Sequence, residues 1–118
     1  MPEQRRYHRM KIHLPVCFET ENPVSFICSS TIDISPTGLA IRLEGPIKQG
    51  QFVTLSVEIN PEKTVKVDAE VIWVKKKIRN GEEEYRAGLK IIDKMDKDET
   101  EFIRFVAKKM TEIFKTQQ

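Results

Sequence analysis

Two short stretches carry side chains that could do chemistry. The first, RRYHR from Arg5 to Arg9, puts guanidinium groups at Arg5 and Arg9 in an RxxxR spacing, with Arg6 beside the first. Guanidinium is a planar, permanently charged fork of donors. It pairs bidentately with phosphate oxygens or with guanine O6 and N7 and stacks on flat rings, which lysine does less well. The second stretch, DISPTG from Asp33 to Gly38, is rich in acceptors. A carboxylate at Asp33 can accept from the N1 and N2 edge of guanine, Ser35 adds a hydroxyl, and Gly38 lets a ligand approach the backbone. Taken alone, DISPTG is better read as a turn. Asp33 and Ser35 can bond the following amides, Pro36 fixes φ, and Gly38 can take conformations closed to other residues.

Other chemistry has little to stand on. The chain holds no GxSxG, HExxH, Walker or GxGxxG motif, and no convincing pair of catalytic carboxylates. Its two histidines, His8 and His13, do not make a coordination sphere, so neither an enzyme nor a metal site is expected. A formal charge of +2 is too mild for a general nucleic-acid binder, so whatever the arginines bind is local. Cys17 and Cys28 lie in no CxxC and are expected as free, reduced core or wall residues. No apolar run approaches a membrane span or the core of a signal peptide, and the expected setting is cytoplasmic, without membrane insertion.

The elements that must position the two stretches follow from periodicity. Apolar residues alternate through Ile12–Phe18, through Val24, Phe26 and Cys28 and on to Ile32 and Ile34, and through Leu39–Leu43. The alternation returns in Val53–Ile59, Val65–Trp73 and Tyr85–Ile91, which makes about six strands. Asn80-Gly81 predicts a type I′ hairpin turn, since both residues tolerate positive φ. The period then lengthens to about 3.6. Phe102, Val106, Met110 and Ile113 form one stripe of a helix, with Asp96 and Glu99 placed for a capping box. Six antiparallel strands followed by one amphipathic helix predict a small barrel with the helix against it.

RxxxR followed some two dozen residues later by DxSxxG, in a small β-rich chain with EVIWV, AGLKII and a closing helix, resembles the PilZ family of cyclic di-GMP receptors. The resemblance covers nearly the whole chain. It implies a single domain over residues 1–118: an arginine-bearing arm over 1–10, a six-stranded antiparallel β-barrel over 11–93 and a C-terminal helix over 96–115. It further implies that Arg5 and Arg9 take phosphates and Hoogsteen edges, and that Asp33, Ser35 and Gly38 form the guanine side. Arg6 and Trp73 are second-tier. Arg6 adds a phosphate contact or faces water, and Trp73 packs in the core with Val65–Val71 or lies against the ligand. The ligand would be cyclic di-GMP, with no cofactor, no turnover, no DNA or RNA, and a downstream protein partner whose identity the sequence does not supply. Gln4 stands where some relatives carry a further arginine, which favours one ligand molecule per domain. Two other readings stay open. One is a protein-interaction module of the same fold that ignores nucleotides. The other is a single-stranded nucleic-acid binder, which would need aromatic platforms in a basic groove.

Overall fold

The computed structural model describes residues 9–21, 24–43 and 47–116, with backbone alone for 19–21, 24–28 and 114–116. Six strands and one helix follow in order: β1 Pro15–Glu21, β2 Val24–Ser35, β3 Gly38–Leu43, β4 Phe52–Asn60, β5 Lys63–Arg79, β6 Glu82–Ile91 and α1 Lys97–Thr116. The strands close into an antiparallel barrel in the order β1-β2-β3-β6-β5-β4. That is the predicted architecture. The alternation explains it: Val16 and Phe18, Leu39, Ile41 and Leu43, Val53, Leu55 and Val57, Val65 to Val71, and Ala87 and Leu89 are buried in one core. Filling a barrel interior with every second side chain leaves the other half for the outer surface.

Asn80 and Gly81 take φ of 53° and 79°, the two positive values that a two-residue I′ hairpin requires, and they join β5 directly to β6. β5 outruns its other neighbour. Pairing with β4 ends at Phe52 opposite Glu70, whereas pairing with β6 continues to Arg79 opposite Glu82.

Helix α1 begins as a variant of the expected capping box. The Glu99 amide donates to Asp96 Oδ1 at 2.8 Å, while Glu99 Oε2 accepts from the amides of both Lys94 and Met95. The glutamate thus satisfies the connector ahead of the cap rather than Asp96 itself. Phe102 and Val106 are fully buried against the barrel. An ion pair between Lys63 and Glu101 ties the helix to β5, and the Asp98 carboxylate accepts from the Lys66 amide of the same strand.

Three expectations are corrected by register. A bulge between Thr31 and Asp33 shifts β2 by one residue, so Thr31 and Ile34 point into the core while Ile32 is only half-buried. A second bulge, between Val71 and Trp73, moves Trp73 off the face of Val65–Val71 and onto the outside. The β1–β2 register sets Cys17 opposite Cys28, and Cys17 is disulfide-bonded rather than a free thiol.

Candidate functional site

The chain ahead of β1 is fastened before it reaches the barrel. Met10 and Ile34 exchange both backbone hydrogen bonds, each 2.9 Å, and the Met10 side chain is buried. Thr31, fully buried in β2, completes the fastening. Its hydroxyl donates to the Ile12 carbonyl at 2.6 Å and accepts from the Leu14 amide at 2.7 Å. The Thr31 carbonyl accepts from His13 Nδ1 at 2.9 Å, which fixes that nitrogen as the protonated one. Sequence reasoning missed Thr31, because a threonine inside a strand reads as an ordinary β-former.

Fastening Met10 to Ile34 puts Arg9 beside Asp33. Arg9 Nη1 donates to Asp33 Oδ1 at 2.8 Å across 24 residues of sequence, with the two side chains only 20% and 22% exposed. The bulge just before Asp33 belongs to the same arrangement, as bulges re-aim the side chains that follow them. So the structure brings together one residue from each of the two motifs. Arg5 and Arg6 lie outside the described residues, as do Gln4, Tyr7 and His8.

The turn beyond Asp33 is built from within. Ser35 is buried, and its hydroxyl donates to the Gly38 carbonyl at 3.2 Å and takes a weak bond from the Thr37 amide at 3.4 Å. Ser35 therefore shapes the turn, and the Thr37 carbonyl in turn accepts from the Ile91 amide of β6 at 2.9 Å. Gly38 is not at positive φ, contrary to the conformational reason given for it above. Its requirement is space. A Cβ at Gly38 would meet the Leu89 carbonyl oxygen at 2.4 Å, so glycine is what lets β3 approach β6.

Beside the turn lies a cleft of about 170 Å³ whose walls include Arg9, Thr37, Gly38, Trp73, Gly88 and Lys90. Trp73, turned outward by the β5 bulge, lies over Gly88, where an added Cβ would fall 2.1 Å from the indole Nε1. Lys75 Nζ stands 5.5 Å from the centroid of the same ring, a cation–π contact. A guanidinium, itself bonded to the Asp33 carboxylate, and a flat indole thus border one opening on the barrel's outer face. Among the described residues no cluster of three or more metal-ligating side chains occurs.

A family model described as PilZ domain matches residues 3–108. The chain belongs to the PilZ domain family. Solved structures agree in fold. The PilZ domain of YcgR from Escherichia coli, solved with c-di-GMP, is 18% identical with a TM-score of 0.74, covering 98% of each chain. Inhibitor of motility from Bacillus subtilis is 17% identical at TM-score 0.71, over 94% of this chain and 53% of that one. The MrkH–c-di-GMP complex of K. pneumonia is 15% identical at TM-score 0.73, over 98% of this chain and 55% of that one. This PilZ chain accordingly spans about half the length of the latter two proteins. No curated protein sequence matches it.

The contact between Trp73 and Gly88 gives a direct test of the cleft wall. In Gly88→Ala the added methyl meets a movable side chain, so the indole should swing away while the barrel stays intact. Trp73 is the chain's single tryptophan, so its emission should shift with little change in melting temperature. An unaltered emission spectrum would mean that the indole does not rest on Gly88.

Proposed function

We propose that this PilZ domain is a receptor for cyclic di-GMP that binds the dinucleotide and performs no chemistry on it. The observation that carries the reading is the contact of Arg9 with Asp33 at the rim of a cleft walled by Gly38 and Trp73. A donor fork suited to phosphate and an acceptor suited to the guanine amino edge meet where a planar base could lie on an indole. Solved PilZ structures of the same fold contain c-di-GMP, which supports the ligand assignment.

On this reading Arg9 exchanges part of its bond to Asp33 for ligand phosphate, and Asp33 turns to a guanine. Arg5, with Arg6 beside it, closes over the exposed side of the nucleotide as the arm folds about the fastened Met10. Ser35 and Gly38 act by holding the turn, and Trp73 supplies a stacking face. One dinucleotide binds per domain, in keeping with Gln4. The closed arm, turn and nucleotide together form a surface that a protein partner recognises.

Calorimetric titration with cyclic di-GMP, with GTP and cyclic di-AMP as controls, tests the assignment. Saturable binding of cyclic di-GMP alone, with the nucleotide recovered unchanged, is the expected result. Absence of binding at low salt would leave the nucleotide-independent interaction module as the better reading. In the same samples, amides of residues 1–9 should become protected from hydrogen exchange on saturation, as ordering on binding requires.

A further inference from the structure

The outer face of the barrel carries a second group of cations that neither motif uses. Register sets Lys75 opposite Arg86 across β5–β6 and Arg86 opposite Arg42 across β6–β3, so three cations form one row over three neighbouring strands. Like charges placed directly opposite destabilise a sheet. Relief from the described residues is incomplete. Among them one carboxylate, Glu84, reaches the cations, with Oε1 2.5 Å from Arg42 Nε and 4.0 Å from Arg79 Nη1, and Oε2 3.7 Å from Arg86 Nη2. The Arg42 contact is close, but its N–H is not aimed at the oxygen. Among the described residues, neither Arg42 Nε nor Arg86 Nε, both buried, has a hydrogen-bond acceptor. The row therefore has excess charge together with donors that lack acceptors, and an anion would supply what both need.

Its position connects it to the cleft. The neighbouring row on the same strands is Ala40–Gly88–Trp73, whose glycine and indole wall the opening. Beyond that, on the side of the turn, comes Gly38–Lys90. Two residues of strand span only about 6.6 Å, within reach of an arginine or lysine side chain. Lys75 already leans over the indole. The cleft is thus flanked by cations at both ends, Arg9 and Lys90 at one and the Arg42–Arg86–Lys75 row at the other. A cyclic dinucleotide carries two phosphates on opposite sides of its ring.

We propose that Arg42, Arg86 and Lys75 form a second phosphate subsite of the dinucleotide cleft, which Glu84 occupies as an internal counter-anion in the free protein. The inference rests on the receptor reading given above. It assigns the two ends of one ligand to two separate cation groups, the arginine arm and the barrel wall. Incoming phosphate competes with the Glu84 carboxylate and accepts from the unpaired guanidinium nitrogens.

Cyclic di-GMP titrations of wild type, Arg42→Gln/Arg86→Gln and Glu84→Gln at two salt concentrations decide the matter. The double variant should bind about 10–100-fold more weakly, with a shallower salt dependence, as loss of charge-assisted phosphate contacts requires. Its melting temperature reads two opposed effects, relief of a like-charge pair and loss of two partners of the Glu84 carboxylate, and binding is measured well below it. Glu84→Gln should bind several-fold more tightly, an effect that a purely structural cluster would not produce. Wild type binding with the double variant within twofold of it, or Glu84→Gln binding more weakly than wild type, would remove the subsite and leave the receptor reading standing. Wild type that fails to bind would remove both. Should the double variant not fold, the Glu84→Gln titration decides alone.

Discussion

Arg9→Ala should abolish most of the affinity for cyclic di-GMP while leaving the barrel folded. A charge-assisted hydrogen bond is worth about 1.5–3 kcal/mol, and a guanidinium gripping phosphate makes at least two, so a loss of ~3 kcal/mol or more is expected. That is a factor above one hundred in Kd. Stability has less at stake. The Arg9–Asp33 pair is partly exposed, and such pairs contribute about 1 kcal/mol or less. The chain on either side stays fastened through Met10, Ile34 and Thr31. Arg9→Lys should also bind weakly, since it keeps the charge and loses the planar fork. Asp33→Asn probes the other half of the contact. It should fold, turn an amide donor toward the guanine donor edge, and discriminate less well against cyclic di-AMP. An Arg9→Ala protein that melts many degrees lower yet binds normally would make the arginine a strut for β2 and overturn its assignment.

Gly38→Ala should produce the opposite pattern, with stability falling first. The added methyl would meet a backbone carbonyl of β6, which cannot step aside as a side chain does. Overpacking of this kind costs about 1–3 kcal/mol, enough to lower the melting temperature of a chain this size by about 5–15 °C. Binding measured well below that temperature should weaken as well, because the Ser35–Gly38 turn and the β3–β6 spacing set the cleft's width. A thermal melt indistinguishable from wild type would show that β3 and β6 can spread at this point at no cost.

Much of this was legible in the sequence, and what was not has one physical cause. Alternation located the six strands, and Asn80-Gly81 located the turn between β5 and β6, because both signals are local. The pairing of Arg9 with Asp33 was reachable through the resemblance that joined their motifs. Features that depend on register were out of reach. Each β-bulge inserts one residue and reverses the inward and outward faces beyond it, so counting by twos placed Trp73 in the core and Ile32 on the face of Ile34. The row of Arg42, Arg86 and Lys75 is likewise invisible until three strands are aligned. So is the opposition of Cys17 and Cys28. Gly38 was singled out by its motif, but its spatial reason lies on β6, half a chain away.

The unequal reach of β5 has a consequence for self-association. Barrel closure pairs strand edges with one another, yet past Val71 no described strand pairs with β5 on its β4 side. Unpaired amides and carbonyls along such a stretch are a template on which a second chain can add by hydrogen bonding. Here the stretch bears Lys75, Lys76, Lys77 and Arg79, with two exposed apolar residues, Ile72 and Ile78. Two copies approaching edge to edge would bring these cations against each other, and their repulsion opposes the gain from new backbone bonds. The hairpin's basic run thereby serves colloidal stability: it keeps an open strand edge in a concentrated solution from seeding a shared sheet.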